Sequence, residues 1–313
     1  MNIQQFQYVL AVAQIKHFEK AAEKCFVTQS TLSTMIGRME DELGIKIFNR
    51  KTKPVSITQE GEKVINQLQI ILREIDSLQY ITQELKGEMV GEIKISIIPT
   101  VSPYLCPMFL TEFVETFPKV QVVVQEMTTS EIQRALHQRT VDIGIAALPI
   151  LDEDLTELAL YEEPFVIYDC KAKKQKVDAI DVSEIDFSRL WLLQEGHCLR
   201  HQVEQICNLS QNRPNDLHNL EFKAGSLDSL IRFTKAQNGV TLLPYFATLN
   251  LPKKEQQCLL KIGGPIPARS VGLLVHKHFV KHQILKKLQE IIKRSITPLQ
   301  TVKAESHHLI GPV

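Results

Sequence analysis

The 313-residue sequence lacks several features that would assign it to a special class of protein. It has no net charge, since Lys and Arg together number 36 and Asp and Glu also number 36, so whole-chain charge indicates no particular partner. No run of 18 apolar residues occurs, which argues against a transmembrane helix. The N-terminus lacks the basic and apolar segments of a signal peptide. We therefore expect a cytoplasmic protein that has no membrane partner.

Paired cysteine motifs are also absent. The six cysteines are scattered and form no CxxC pair: Cys25, Cys106, Cys170, Cys198, Cys207 and Cys258. This spacing is typical neither of structural zinc sites nor of a disulfide framework, so we expect no metal and no bound cofactor. In a reducing compartment a disulfide would be sensory or catalytic rather than structural.

The chain is long enough for about two domains, and residues 1–58 carry the pattern of a winged helix-turn-helix. Apolar residues recur at helical spacing in three short segments, with a tight turn before the third. Between Glu42 and Glu60 there are four basic residues and no acidic one, as expected for a hairpin wing that contacts phosphates. The candidates for contact with double-stranded DNA are Gln29, Ser30, Thr31, Ser33, Thr34, Arg38, Arg50, Lys51 and Lys53.

Residues 59–87 predict one long linker helix. Its seam has apolar residues spaced 4, 3, 4, 3, 4, 3, with one polar exception: Val64, Leu68, Ile71, Ile75, Leu78, Thr82 and Leu85. Such a seam favours pairing with a second copy, and two DNA readers in a dimer predict a roughly two-fold symmetric operator. The alternative is an amphipathic helix that packs on its own domain.

The remaining chain alternates between strand and helix patterns, which predicts α/β architecture, with a parallel sheet over residues 92–148. Residues 88–296 form the expected regulatory domain. Its first lobe comprises 88–163 and 268–296, and its second lobe comprises 164–267. Residues 297–313 are polar and predict a disordered tail.

The segment around Cys198 predicts a reactive thiol at the start of a helix. His197, Arg200 and His201 flank Cys198, and positive charge lowers a thiol's pKa. Cys207 lies nine residues further on, roughly 13 Å along a helix, whereas a disulfide needs Cα atoms within about 7 Å. A disulfide here would therefore unwind the helix and act as a switch. Taken alone, the segment favours the simpler interpretation of two ordinary thiols.

The N-terminal motifs resemble those of the LysR-type transcriptional regulators. The matching stretches are Phe26–Ser33, Met39–Gly44, Phe48–Arg50 and Thr58–Gly61, and the likeness extends to about residue 295. The resemblance implies a periplasmic-binding-protein-like regulatory domain with a cleft between its lobes. It also implies a dimer or tetramer and RNA polymerase as a partner.

Within this family the chain is similar to the peroxide-sensing branch. The similarity rests on Ile98–Leu105, on Gly196–Arg200 with Cys207, and on the less specific Gly239–Pro244. It implies that Cys198 is the peroxidatic cysteine and Cys207 the resolving one. It also implies that four residues hold or polarise peroxide: Thr100, Thr129, His197 and Arg269. One departure is His201, because that branch usually has aspartate there.

Three functional hypotheses follow from the sequence. The first is a DNA-binding regulator that responds to hydrogen peroxide and activates oxidative-stress genes through a Cys198–Cys207 disulfide. The second is a LysR-type regulator that responds to a small organic effector and has incidental cysteines. The third is a thiol peroxidase, which the DNA reader and the dimer seam argue against.

Overall fold

The computed structural model describes residues 1–86, 89–171, 179–209, 222–299 and 307–312. The chain divides into two compact units, Met1–Glu88 and Met89–Val313. The boundary predicted between residues 87 and 88 lies outside the described residues.

The N-terminal unit is the predicted winged helix-turn-helix. Its elements are helices α1 (Ile3–Ile15), α2 (Phe18–Lys24) and α3 (Gln29–Leu43) and the hairpin strands β1 (Phe48–Asn49) and β2 (Ser56–Ile57). Side chains of Asn2, His17 and Thr28 each accept a backbone N–H at a helix start, which satisfies donors that the helix itself leaves unpaired. Gly44 ends α3 in the left-handed conformation that favours glycine.

The linker helix α4 spans Gln59–Leu85. In its first half Ile65 and Leu68 are buried in the core of the N-terminal unit. Further along, Leu78 and Leu85 are 62% and 83% exposed. The first turns of the predicted seam therefore pack on their own domain, and pairing with a second copy stays a prediction for the exposed leucines. Neither α4 nor any other helix of the described residues is long and apolar enough to cross a membrane.

The first lobe of the second unit is built from βαβ connections. Its elements are β3 (Gly91–Ile97), α5 (Ser102–Thr116), β4 (Val120–Glu126), α6 (Thr129–His137) and β5 (Ile143–Leu148). Strand β3 pairs in parallel with both β4 and β5, so α5 and α6 are the crossovers that parallel strands require. Helix α11 (His282–Ile296) packs beside α5 and has an apolar face that includes Ile284, Leu288 and Ile292.

Two long strands, β6 (Leu155–Asp169) and β10 (Ile266–His276), run through both lobes. They pair antiparallel, and β5 also pairs antiparallel with β10. The parallel sheet predicted for residues 92–148 is therefore confirmed for β3, β4 and β5, and the sheet becomes antiparallel where the chain crosses between the lobes. Strand β6 pairs with β10 as far as Pro164 and from Phe165 onward with β8 (Val240–Pro244).

The second lobe surrounds the end of β6. It contains β7 (Ala179–Ile180), two 3-10 turns (Val182–Glu184 and Phe187–Arg189), α7 (Cys198–Ile206), α8 (Leu227–Ala236), β8, α9 (Tyr245–Thr248), α10 (Lys253–Gln256) and β9 (Leu259–Ile262). Helix α7 buries Leu199 and Val203 in a core shared with Ile167, Leu230 and Leu242. This packing fixes the helix that begins at Cys198.

The prediction of a disordered tail over 297–313 was wrong for most of its described residues. A 3-10 turn at Thr297–Leu299 continues α11, and strand β11 (His307–Leu309) pairs in parallel with the start of β10. Ile310 follows β11 and is buried. The polar composition of this segment gave no sign that β11 pairs with β10, because backbone hydrogen bonds to an available strand do not depend on side-chain polarity. Residues 300–306 and 313 lie outside the described residues.

Candidate thiol site and DNA-binding surface

Helix α3 exposes most of the side chains that were predicted to contact DNA. Exposed on this helix are Gln29, Ser30, Thr31, Thr34 and Arg38, and Ser33 is half-buried. The Thr28 hydroxyl accepts the N–H of Thr31 at 3.2 Å and shares hydrogen bonds with the hydroxyls of Ser30 and Thr31. The start of α3 thus combines polar side chains with the partial positive charge of a helix N-terminus.

A buried carboxylate, that of Glu40, fixes the wing to α3. Its Oε1 accepts the backbone N–H groups of Ile47 at 2.8 Å and Phe48 at 3.1 Å. A charged group with 1% side-chain exposure needs such partners to offset its lost hydration. Glu40 was not predicted from the sequence, although an acidic residue among the apolar positions of α3 was a usable signal.

Two residues that were predicted to contact DNA form contacts within the protein. The guanidinium of Arg50 lies 3.2 Å from Glu40 and donates to the Ser33 hydroxyl at 2.8 Å. Arg50 and Ser33 therefore hold the wing against the recognition helix. By contrast, Lys51 and Lys53 lie in the turn between β1 and β2, and both are exposed.

The candidate thiol, Cys198, is the first residue of α7 and is partly buried. Gly196 precedes the helix with φ +93°, a conformation that favours glycine and that turns the chain into the helix start. The backbone N–H groups of Cys198 and Leu199 interact with the sulfur and act to lower its pKa. This is the expected influence of a helix N-terminus on an anion.

Arg269 supplies the cation of the site from β10. It is fully buried and donates to Glu163 Oε2 at 2.9 Å, to the Thr100 hydroxyl at 3.0 Å and to the Thr100 carbonyl at 3.1 Å. Glu163 in turn accepts the N–H of Phe246 at 2.7 Å. Burial acts to lower the pKa of Arg269, but Glu163 and other groups, Cys198 among them, raise it above its usual value. The guanidinium is therefore charged.

The pKa of Cys198 is raised rather than lowered. Burial is the largest cause, and it outweighs Arg269, the Thr129 hydroxyl and the N–H groups of the helix start, which all act to lower the pKa. The expectation of a lowered pKa was wrong because it omitted burial, which penalises the thiolate. At neutral pH the sulfur carries its proton.

The basic residues that follow Cys198 in sequence bond to other groups of the protein. Arg200 pairs with Glu204 at 2.8 Å and donates to the Leu193 carbonyl at 3.0 Å. His201 is half-exposed and hydrogen-bonds with Gln205 at 2.9 Å. His197 is buried, and burial lowers its pKa, so the imidazole is neutral at pH 7. The cation that acts on the sulfur is Arg269, which lies 71 positions away in sequence.

Thr129 presents a hydroxyl that lacks a conventional partner. Thr128 caps α6, and Thr129 is the next residue. The Thr129 hydroxyl lies beside the Cys198 sulfur and acts to lower its pKa. Yet its oxygen is buried and makes no hydrogen bond of ordinary length and angle with any described residue. Such a group needs a water molecule or a ligand to complete its hydrogen bonding.

Cys207 lies at the opposite end of α7 in an apolar environment. It is 2% exposed and belongs to the core of the second lobe. Its N–H donates to the Val203 carbonyl at 2.9 Å as the helix ends, and burial raises the pKa of its thiol to about 12. Both thiols are free, and the helix separates them by roughly 13 Å. A bond between them requires α7 to unfold.

One further residue, Glu163, completes the site and was not predicted from the sequence. It has 1% exposure and is the carboxylate that holds Arg269. On β6 it lies between buried Tyr161 and Phe165, each two residues away, and a strand places all three side chains on the same face. An acidic residue in such an apolar row was the available signal, because a buried charge requires a partner.

A group of potential metal ligands lies in the first lobe, apart from the thiols in sequence. His137, Asp152 and Asp154 bring ligand atoms within 4.8 Å of one another. However, His137 pairs with Asp152 at 2.8 Å, and Asp154 pairs with Lys277 at 2.5 Å. These side chains already have partners within the protein.

Comparison with known proteins agrees with this architecture. The model of the bacterial regulatory helix-turn-helix protein, lysR family, matches residues 3–62, and that of the LysR substrate binding domain matches residues 86–296. The DNA-binding transcriptional dual regulator OxyR of Escherichia coli K12 is 33% identical over 276 residues, which cover 88% of this chain and 89% of that protein. The HTH-type transcriptional regulator EstR of Acinetobacter baylyi is 30% identical over a match that covers 94% of this chain and 96% of that protein.

Among solved structures, a full-length OxyR variant of Pseudomonas aeruginosa superimposes with a TM-score of 0.74 at 27% identity. The match covers 94% of this chain and 98% of that one. The two family models and the relatives extend over both units, so the likeness is not confined to the DNA reader. The chain belongs to the LysR family of bacterial transcriptional regulators, with OxyR proteins among its relatives.

Proposed function

We propose that the protein senses hydrogen peroxide at Cys198 and converts the oxidation into a change in DNA binding. The observation that carries this proposal is the Thr129 hydroxyl, which is buried beside the Cys198 sulfur without a conventional hydrogen bond. Hydrogen peroxide is small and neutral, and it both donates and accepts hydrogen bonds, so it fits such a site. Relatives named hydrogen peroxide-inducible genes activator support the same interpretation.

The first step is attack of the Cys198 sulfur on one peroxide oxygen. The S–O bond forms as the O–O bond breaks, the thiol proton goes to the departing oxygen, and the products are a sulfenic acid and water. The charge of Arg269 favours the thiolate and the developing negative charge on the leaving oxygen. Thr100 fixes the guanidinium through two hydrogen bonds. Thr129 and the neutral His197 complete the set of residues proposed to position peroxide.

The second step joins the two cysteines. The Cys207 sulfur attacks the sulfenyl sulfur, the S–O bond breaks, and hydroxide leaves with the Cys207 proton as water. Because Cys207 is buried at the far end of α7, this step requires the helix to unfold. Rearrangement of the second lobe is the proposed signal to the DNA reader.

The proposed DNA contacts are the exposed face of α3 and the wing. Side chains proposed to approach base edges and phosphates are Gln29, Ser30, Thr31, Thr34 and Arg38. Lys51 and Lys53 approach phosphates, and Arg50 and Ser33 position the wing. Exposed Leu78 and Leu85 on α4 are part of a proposed dimer interface. Assembly into a tetramer, contact with RNA polymerase and a cytoplasmic location belong to the same proposal.

A small organic effector is the weaker alternative. Organic acids bind through free cations, but the guanidinium of Arg269 already pairs with Glu163 and Thr100. An acid would have to displace a carboxylate that lies 2.7 Å from it.

The proposal is tested by DNA footprinting in two redox states. Operator sequences are first selected from a random DNA pool with the reduced protein, and the footprint is then compared before and after one equivalent of peroxide. We expect the protected region to change length or position on oxidation, and the Cys198→Ser variant to keep the reduced footprint. An identical footprint in both states, with Cys198 fully oxidised, would overturn the proposal.

A further inference from the structure

Helix α7 carries a buried amide that faces the C-terminal segment. Gln202 is fully buried, and its Nε2 donates to the carbonyl oxygen of Ile310 at 3.0 Å. Gln202 lies one helical turn after Cys198, so the two side chains share a face of the helix. The bond therefore acts on the turn that carries the reactive sulfur.

The C-terminal segment is itself anchored on β10. Ile266, Pro267 and Ala268 pair in parallel with residues 307–309. Ile310 donates its N–H to the Ala268 carbonyl at 2.8 Å, and its own side chain is buried. The segment thus has a fixed place beside the sheet.

A side-chain contact adds a second anchor. His307 Nδ1 lies 3.0 Å from Glu162 Oε2 on β6. Backbone pairing to β10 and this contact to β6 hold the segment where the two long strands meet. Gln202 connects that point to α7.

The anchor point adjoins the cation of the thiol site. The Ala268 carbonyl accepts a hydrogen bond from the Ile310 N–H, and Ala268 immediately precedes Arg269. The chain of contacts from Gln202 through Ile310 to Ala268 consequently ties the helix that bears Cys198 to the strand that bears Arg269. It resists any movement of α7 away from that strand.

We propose that residues 307–310 form a C-terminal latch and that Gln202 is a positioning residue that keeps α7 folded and Cys198 beside Arg269. The inference rests on the proposed peroxide function. Release of the latch frees the helix for the step in which the Cys207 sulfur displaces water from the Cys198 sulfenic acid. The latch therefore slows disulfide formation.

The test measures the two chemical steps separately in the full chain. Sulfenic acid formation is followed with a dimedone-type trap in a Cys207→Ser background, and disulfide formation is followed by quenched mass spectrometry with both cysteines present. The test variant is Gln202→Met, whose side chain has a similar size but cannot donate to the Ile310 carbonyl. The matched control is Gln205→Met on the exposed face of the same helix.

We expect Gln202→Met to speed conversion of the sulfenic acid to the disulfide by about tenfold, the factor that corresponds to losing a buried hydrogen bond. The control should stay within about twofold of the unsubstituted chain, since its side chain is in water. A stop after Leu299 removes the latch without altering α7, and it should accelerate the same step. This truncation tests the inference even if Gln202→Met fails to fold.

Unchanged or slower disulfide formation in the folded variants would overturn the latch. Equal acceleration in the Gln205→Met control would also overturn it, because the effect would then come from losing any amide side chain of α7. Failure of the unsubstituted chain to form any Cys198–Cys207 bond would instead overturn the peroxide proposal on which the latch rests.

Discussion

The two ends of α7 hold the same chemical group in opposite environments. Cys198 has Arg269, the Thr129 hydroxyl and the helix N-terminus around it, and all three favour its thiolate against the effect of burial. Cys207 has apolar neighbours, and burial alone raises its pKa to about 12. The comparison indicates that one thiol is prepared to meet a small polar oxidant, whereas the other is withheld until the helix opens.

This difference between the two thiols explains how the nine-residue helix α7 can act as a switch. If both thiols were exposed and polar, either could react first and the order of events would be undefined. If both were buried in apolar surroundings, neither would meet peroxide. Removal of Cys207 should therefore leave the reaction of Cys198 with peroxide intact.

The strongest effect should come from removing each thiol in turn. Cys198→Ser should abolish sulfenic acid formation on α7, because the other thiol of the pair, Cys207, lies among apolar side chains and burial alone raises its pKa to about 12. Cys207→Ser should still form the sulfenic acid but no intramolecular disulfide. Mass spectrometry of trapped products distinguishes the two, and a trapped sulfenic acid at Cys207 in the Cys198→Ser protein would contradict the division of roles between the two ends.

A smaller effect is expected from Thr129→Val, which removes the hydroxyl and keeps the shape of the side chain. Loss of a group that positions peroxide should slow sulfenic acid formation by about 10²-fold. Thermal stability should change little, because the hydroxyl makes no conventional hydrogen bond with the described residues. The rate is measured by stopped-flow mixing with peroxide.

Thr100→Val is the matched control for that experiment. It removes a hydroxyl that accepts from Arg269 at 3.0 Å, so it should destabilise the fold by about 1–3 kcal/mol. Equal loss of stability in both variants would show that Thr129 is a structural residue and that the site is not preformed for a ligand.

Alkaline pH should reveal the environment of Cys207. Its folded pKa of about 12 lies above the ordinary thiol value, so the unfolded chain releases the proton first as pH rises. Stability should therefore be full below about pH 8.5 and fall between there and about pH 12, by about 1.4 kcal/mol per pH unit for this group. Urea unfolding at about pH 8 and about pH 10 measures the slope.

Cys207→Ala isolates this contribution, since other buried groups with raised pKa values titrate in the same window. We expect the variant to lose about 2 kcal/mol less than the unsubstituted chain between about pH 8 and about pH 10. Parallel curves for the two proteins would contradict the apolar environment assigned to Cys207.

His201→Asp should have the weakest effect of these substitutions. The half-exposed His201 ring bonds with Gln205, and a charge placed in water is strongly screened. Rates of sulfenic acid formation should change by less than about threefold. A change of about tenfold or more would mean that this side chain acts on the sulfur.

Much of the fold could be predicted because it is encoded locally. Thr28 and Gly44 mark the start and end of α3 in the sequence, and Leu199 and Val203 recur at helical spacing within α7. The sheet was predicted only in part, because β6 and β10 are distant in sequence and their antiparallel pairing leaves no local pattern. The order of β11 was missed, since a polar segment gives no hydrophobic pattern.

Most residues of the site could be predicted from the sequence, but the direction of the Cys198 pKa shift could not. Motif resemblance named Cys198, Thr100, Thr129 and Arg269, and contacts among these residues link them in the structure. The direction of the Cys198 pKa shift could not be inferred from flanking residues, because it depends on burial and on a cation from another strand. Glu163 could have been predicted from the sequence, because it is a charged residue in a row of apolar residues that are spaced two apart.

Unfolding of α7 on oxidation can be observed by hydrogen–deuterium exchange across residues 198–207, in the reduced protein and after one equivalent of peroxide. We expect slow exchange of the α7 amides in the reduced state. In the oxidised state we expect rapid exchange, with a Cys198–Cys207 disulfide identified in the same sample. A disulfide that forms while the α7 amides stay protected would contradict the proposal that the helix must open for the switch to act.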